Sequence, residues 1–171
     1  RVLPAAEHGR YTEASRAAFW SKPWKITPQS DRYGYRFAGD TPLQPRAKME
    51  MWSHGIVPGV LQVPPDGQPI VQMRDAQPTG GYPKIGTVIE ADLWRLGQAP
   101  IGSRVRFLQT TWDAALAATD ELAAWRAGLS RQLATPTASA PPPRCGGRRA
   151  PRRAPRARSC GRSPAPAATG S

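Results

Sequence analysis

The dipeptide Asp66-Gly67 lies between two apolar runs, "GIVPGVLQV" and "IVQM", and this arrangement constrains the fold more than any other feature. Asp-Gly accepts the backbone conformation of a tight turn, and apolar runs on both sides of it predict a β-hairpin. Other runs of the same kind follow. "WKIT" and "YGYRF" read as short strands joined by "PQSDR", where Pro28, Ser30 and Asp31 supply turn chemistry. "KIGTVIEADL" is rich in β-branched residues, and "SRVRFLQT" alternates Val105 and Phe107 with Arg104 and Arg106, the period of a half-buried strand. Several short strands at this spacing predict a mainly β barrel or sandwich.

Helical signals flank the strands. In "YTEASRAAFW" Thr12 is placed to cap a short helix, with Glu13 in its first turn and Ala14, Ala17, Ala18 and Phe19 at helical spacing. Beyond Asp113, residues Leu116, Leu122, Trp125, Leu129 and Leu133 recur near the helical period in an Ala-rich background, with Thr110 or Thr111 as cap. This helix is expected to end before Pro136, and "TPTASAPPP" to close the folded chain. The expected division is a folded lobe over residues 1–135 and a tail over 136–171.

The tail is set apart by charge. Residues 144–171 hold 8 of the 24 Lys and Arg residues and none of the 12 Asp and Glu, so they carry 8 of the 12 net positive charges. With no aliphatic residue larger than Ala and no aromatic one, this stretch cannot offset its ordering entropy by burial, and disorder is predicted. Arginine clusters attract phosphate in general, but the Arg, Ala, Pro, Gly, Ser monotony is also what a GC-rich frame yields when shifted or read past a stop. The artefact is the preferred reading, and nucleic acid is not an expected partner. Cys145 and Cys160 lie in this tail, at a spacing that matches no four-ligand zinc site. No stretch approaches a membrane span, and "RVLPAAEHGR" has neither a methionine nor a signal-like segment. A cytoplasmic chain truncated at its start is expected.

Motif chemistry excludes more than it assigns. His8 and His54 have no ligand-spaced partners, so no metal is expected, and there is neither a Walker loop nor a nucleophile elbow. What remains is three polar turns among apolar strands: "PQSDRYGYR", "PPDGQP" and "DAQPTGGYPK". Brought to one rim, they would surround a small pocket with amides, carboxylates and positive charge. Gln62, Gln68 and Gln77 can bond an amide edge, Arg32 or Lys84 can neutralise an oxyanion or carboxylate, Tyr82 can donate a proton, and Asp31 can orient Arg32. Taken singly, each has a structural reading as well. Gly80 and Gly81 would permit positive φ before a strand, and Asp66 and Gly67 would be only a turn.

At these loops the chain becomes recognisable. "SDRYGYRF", "SHGIVPGVLQVPPDGQPIVQM", "DAQPTGGYPKIGTVIEADL" and "RVRF" resemble, in order and spacing, the biotin-dependent carboxyltransferase family, over about residues 1–132. That family includes urea carboxylase (urea amidolyase), proteins labelled allophanate hydrolase subunit 2, and the C subunit of bacterial 5-oxoprolinase. The flanking "EHGRYTEASRAAFWSKPWKI" and "QTTWDAALAATDELAAWRAGLSRQL" look most like the last of these. The resemblance implies two cyclophilin-like β-barrel lobes, of which this chain would hold the C-terminal one. It also implies a complex with the A and B subunits of 5-oxoprolinase, one that opens 5-oxoproline to glutamate at the expense of ATP.

Carried over by the resemblance are Ser30, Asp31, Arg32, Gly34 and Tyr35; Gln62, Pro64, Asp66, Gly67, Gln68 and Pro69; and Gln77, Thr79, Gly80, Gly81, Tyr82 and Pro83. Of these, Tyr82 and Gln77, together with Lys84, are the expected catalytic residues. Ser30, Asp31, Arg32, Gln62, Asp66, Gln68, Thr79, Gly80 and Gly81 are the expected substrate contacts. Two positions depart from the family pattern: Tyr33 replaces a usual Met, and Pro78 a usual Thr, which removes a backbone donor at the approach to Gly80. The same resemblance leaves two alternatives. One is carboxyl transfer from carboxybiotin to urea or a similar amide, although "KME" over Lys48–Glu50 is not a biotinylation-like Met-Lys-Met site. The other is a non-catalytic binding protein like the relatives labelled kinase inhibitor A.

Overall fold

The computed structural model describes residues 1–134; the expected tail, with Cys145 and Cys160, lies outside the described residues. In chain order the elements are β1 (Val2–Pro4), α1 (Glu13–Ser21), β2 (Trp24–Ile26), β3 (Gly34–Ala38), β4 (His54–Gly55), β5 (Val60–Gln62), β6 (Ile70–Gln72), β7 (Thr79–Gly80), β8 (Lys84–Val88), α2 (Glu90–Gly97), β9 (Arg104–Val105) and α3 (Trp112–Ala134). The fold is mainly β with a C-terminal helix, as the sequence predicts.

Seven strands form one antiparallel sheet in the order β1-β8-β5-β6-β3-β2-β9, and β4 pairs with β7 apart from it. The sheet rolls far enough for its two edges to meet. Residues 108–110, just past β9, reach β1 through Val2 N to Leu108 O at 2.8 Å and Thr110 N to Val2 O at 3.0 Å. This seam leaves fewer unpaired edge groups. The Asp66-Gly67 hairpin is present as β5–β6, with Leu61 opposite Val71. Its turn closes through Gly67 N to Pro64 O at 2.9 Å, and Gly67 takes φ +73°, a conformation costly to side chains.

Inside the roll, aromatic rings join sheet to helix. Phe19 of α1 stacks on Phe107 with centroids 5.0 Å apart, and Phe107 meets Phe37 of β3 edge-on at 5.3 Å. Trp24, Ile26, Leu61, Val71 and Ile85 complete this core. The predicted cap of α1 is made: Thr12 Oγ1 accepts from Ser15 N at 3.2 Å.

Three expectations are corrected. The run "KIGTVIEADL" is not all strand: β8 ends at Val88 and α2 begins at Glu90. Glu90 and Asp92 in the first turn suit the positive end of a helix, while Leu93 and Leu96 give it a buried face. In "SRVRFLQT" only Arg104–Val105 is strand, although the alternation persists in the extended chain beyond it, with Arg106 exposed and Phe107 buried. The helix α3 exists and starts at the Thr111 cap, whose Oγ1 accepts from Ala114 N at 3.3 Å. Its buried face, however, is Ala115 and Ala118 with Leu122 partly covered, packed on Ile89 and Ala91. Leu116, Trp125, Leu129 and Leu133 are exposed. Small residues let two helices approach closely, so the alanines win the interface over the larger side chains.

His8 is tied into the fold, with its Nε2 accepting from Trp20 Nε1 at 3.2 Å. Burial, helped by the Arg16 charge, holds its pKa below the ordinary 6.5. Below that ordinary value the unfolded chain binds a proton that the folded chain refuses, so stability falls as pH drops. Thermal unfolding is expected to move to lower temperature between about pH 7.5 and 5.5. A His8→Gln variant should flatten that part of the profile, and an unchanged slope would count against this assignment.

Candidate functional site

The three polar loops meet at one rim. The first, between β2 and β3, is organised by Asp31, whose Oδ1 accepts from Tyr33 N at 2.9 Å and Gly34 N at 3.1 Å. Ser30 Oγ closes the same loop by accepting from Arg36 N at 2.9 Å. In the second loop Asp66 Oδ1 accepts from Gln68 N at 3.0 Å. Both carboxylates thus use one oxygen to hold their turns. The first and third loops are linked by Arg32 Nε to Asp75 Oδ2 at 3.1 Å, and by Asp75 N to Arg32 O at 3.3 Å.

Between the loops lies a cavity of about 330 Å³, whose lining includes Asp31, Arg36, Gln62, Asp66, Gln72, Gln77 and Tyr82. Gln62 is its least exposed polar residue, at 2%. The pairing of β5 with β8 shifts register between Leu61 and Gln62, and such an irregularity re-aims the side chain that follows it. Gln62 Oε1 accepts from Gln72 Nε2 at 3.1 Å. Gln62 Nε2 is buried without a partner among the described residues. An unpaired buried donor is costly, and this one lies close against Gly80.

The paired glycines play a role other than the expected one. Positive φ occurs at Gly59, Gly67 and Gly102, not at Gly80 or Gly81. Gly80 leaves space for the Gln62 amide: a Cβ there would collide with Gln62 Nε2, so that amide would have to shift. A Gly80→Ala variant is therefore expected to push the Gln62 amide aside and lose about 1–3 kcal/mol of stability by overpacking. Chemical denaturation checks this, and an unchanged midpoint would show that the amide yields freely. At the departure Pro78, the strand pair β4–β7 persists because proline serves as acceptor, from Ile56 N at 2.9 Å.

Asp31, Gln62, Asp66, Gln77 and Tyr82 of the expected residues are brought together around the cavity. Others take positions beside it. Gln68 ties the second loop to the end of β3 through Gly39 N to Gln68 Oε1 at 2.8 Å. Arg32 is held by Asp75, and Lys84 Nζ faces Glu7 at 3.9 Å. Ser30 braces its loop, Thr79 pairs with Gly55, and Gly81 faces a neighbouring chamber. Sequence reasoning missed Arg36 and Gln72. The signal was there: Gly34 and Arg36 share a strand face by the period of two, as do Ile70 and Gln72, and all four line the cavity.

The family model of the carboxyltransferase domain, subdomains A and B, matches residues 1–109. The chain belongs to this carboxyltransferase-domain family. Within it, the chain is 46% identical over 132 residues to the 5-oxoprolinase C subunit of Escherichia coli (strain K12), covering 74% of this chain and 42% of that protein. It is 49% identical over 107 residues to the 5-oxoprolinase C subunit of Haemophilus influenzae, covering 63% of this chain and 34% of that one. The carboxyltransferase-domain chain thus spans less than half the length of either relative. A putative urea carboxylase of Emericella nidulans is 30% identical over 111 residues, covering 60% of this chain and 9% of its own. The fold itself is similar to the crystal structure of Kluyveromyces lactis urea carboxylase, with a TM-score of 0.63 at 21% identity over 67% of this chain and 11% of that one.

Proposed function

We propose that this chain supplies the lactam-binding half of a 5-oxoprolinase C subunit, working with the A and B subunits to open 5-oxoproline to glutamate with ATP. The observation that carries the reading is the buried amide of Gln62, whose Nε2 has no partner among the described residues, on a residue that lines a cavity together with Asp31 and Asp66. A cyclic amide has the complementary pattern. Its carbonyl oxygen accepts from Gln62 Nε2, its ring N–H donates to the free oxygen of Asp31 or Asp66, and its carboxylate meets Arg36.

An amide is a poor electrophile. Phosphorylation of its carbonyl oxygen by ATP makes the ring carbon open to water, and the C–N bond then breaks, leaving the nitrogen as the amino group of glutamate and releasing phosphate. The ATP step is assigned to the complex rather than to this chain. Within the cavity, Gln62 holds the carbonyl oxygen, Tyr82 supplies the proton that the departing nitrogen takes up, and Gln77 completes the polar rim. Urea presents a similar amide edge, and the named similarity to a putative urea carboxylase makes carboxyl transfer from carboxybiotin the competing reading.

Affinity capture with this chain, followed by assay, separates the readings. Recovery of homologues of the A and B subunits, together with ATP-dependent release of glutamate from 5-oxoproline, is expected. Consumption of urea with biotin-dependent carboxylation would overturn the proposal in favour of the carboxyltransferase reading. Capture of a histidine kinase or its inhibitor, with no turnover, would overturn it in favour of the kinase-inhibitor reading.

A further inference from the structure

We propose that Arg36 is the specificity-determining residue of the polar cavity: it makes a carboxylate on the entering ring a requirement and turns neutral amides such as urea away. The inference deepens the lactam reading and rests on it. Among the described residues that line the cavity, Arg36 is the sole cation. Its place follows from the pairing of three strands. Arg36 of β3 stands opposite Ile70 of β6 and Gly34 opposite Gln72, while Gln62 of β5 meets Ile70 from the other side. Residues directly opposite in an antiparallel pair share a face, and all five of these line the cavity. This sheet face is the cavity floor.

The backbone of Arg36 is fixed, but its guanidinium is not. Arg36 N donates to Ser30 Oγ at 2.9 Å, and Arg36 O accepts from Ser30 Oγ at 3.2 Å and from Thr27 N at 2.9 Å. Arg36 is exposed, and its side chain has no hydrogen bond or ion pair among the described residues. The cations beside the cavity differ in this respect, since Arg32 is held by Asp75 and Lys84 faces Glu7. Arg36 therefore keeps both its charge and its planar fork of donors for a ligand.

The other charges in the lining make the requirement strict. Asp31 and Asp66 are the remaining ionic residues there, so a cavity without Arg36 carries only negative charge and repels a carboxylate. With Arg36 in place, the guanidinium takes the carboxylate in a charge-assisted, two-pronged bond. Urea has an amide edge but no anionic group. It leaves Arg36 unpaired.

The test measures dissociation constants by NMR on the isotope-labelled full chain with three probes. 5-Oxoproline offers amide and carboxylate, pyrrolidinone the amide alone, and cyclopentanecarboxylate the carboxylate alone. The unaltered chain is expected to bind 5-oxoproline at least about tenfold more tightly than pyrrolidinone. Arg36→Met keeps the aliphatic stem and the backbone bonds to Ser30 and Thr27, so the fold should persist. This variant is expected to weaken both carboxylates about tenfold, to leave pyrrolidinone unchanged, and so to erase the preference. Arg36→Lys restores the charge without the fork and should fall between the two. A loss of less than about threefold for both carboxylates in Arg36→Met, or an equal loss for pyrrolidinone, would overturn the proposal. Failure to bind pyrrolidinone, with cyclopentanecarboxylate still responding to Arg36→Met, would count against the lactam reading and leave the role of Arg36 intact.

Discussion

Replacing Gln62 with methionine is expected to lower kcat/KM for 5-oxoproline about 100-fold in the assembled complex, the usual cost of removing a preorganised donor to a reacting carbonyl oxygen. Methionine matches glutamine in length and preserves the packing at the register shift between β5 and β8, but its thioether cannot donate. The one structural casualty is the bond from Gln72 Nε2, 3.1 Å in length, which loses its acceptor. That loss should cost about 1–3 kcal/mol of stability, measurable separately by denaturation. A variant that retains wild-type turnover would remove Gln62 from the site, however well it folds.

Phe107→Ala is expected to be the most damaging substitution for stability, at about 3–5 kcal/mol. The ring contacts Phe19 of α1 at 5.0 Å and Phe37 of β3 at 5.3 Å between centroids. Removing it opens a void where helix and sheet meet, next to the seam by which residues 108–110 reach β1. Urea denaturation should show a lower midpoint with little change in slope. A loss below about 1 kcal/mol would mean that the surrounding rings collapse into the space.

Much of the fold was legible in the sequence because local chemistry and global structure agree. Thr12 caps α1 where its hydroxyl and Glu13 predict, and Asp66-Gly67 turns the hairpin between the two runs that flank it. The errors arise where long-range packing overrides a local pattern. In α3 the large residues recur at the period of a buried stripe, yet the approach to α2 selects Ala115 and Ala118, a choice set by interhelical distance that periodicity does not encode. The strand β1 went unrecognised because its three residues include Pro4 and gain their order from long-range pairing, with β8 and with residues 108–110.

The candidate site was legible at the level of its loops and less so at the level of its residues. Asp31, Asp66, Gln62, Gln77 and Tyr82 converge, but Lys84 faces Glu7 and Arg32 faces Asp75, since the nearest carboxylates draw both cations to the side. Arg36 stands at the cavity instead. The need for Gly80 was visible as a glycine, but its cause was not: the constraint is the amide of Gln62, distant in sequence and brought close only by the fold.

The most direct measurement follows the side-chain amide protons of Gln62 by NMR as 5-oxoproline is titrated into the full chain. If Gln62 Nε2 holds the lactam carbonyl, these signals move downfield and saturate, and Gly80→Ala, which displaces the amide, weakens the response. Gln62 amide signals that stay in place at concentrations where the ligand binds elsewhere on the chain would contradict the account.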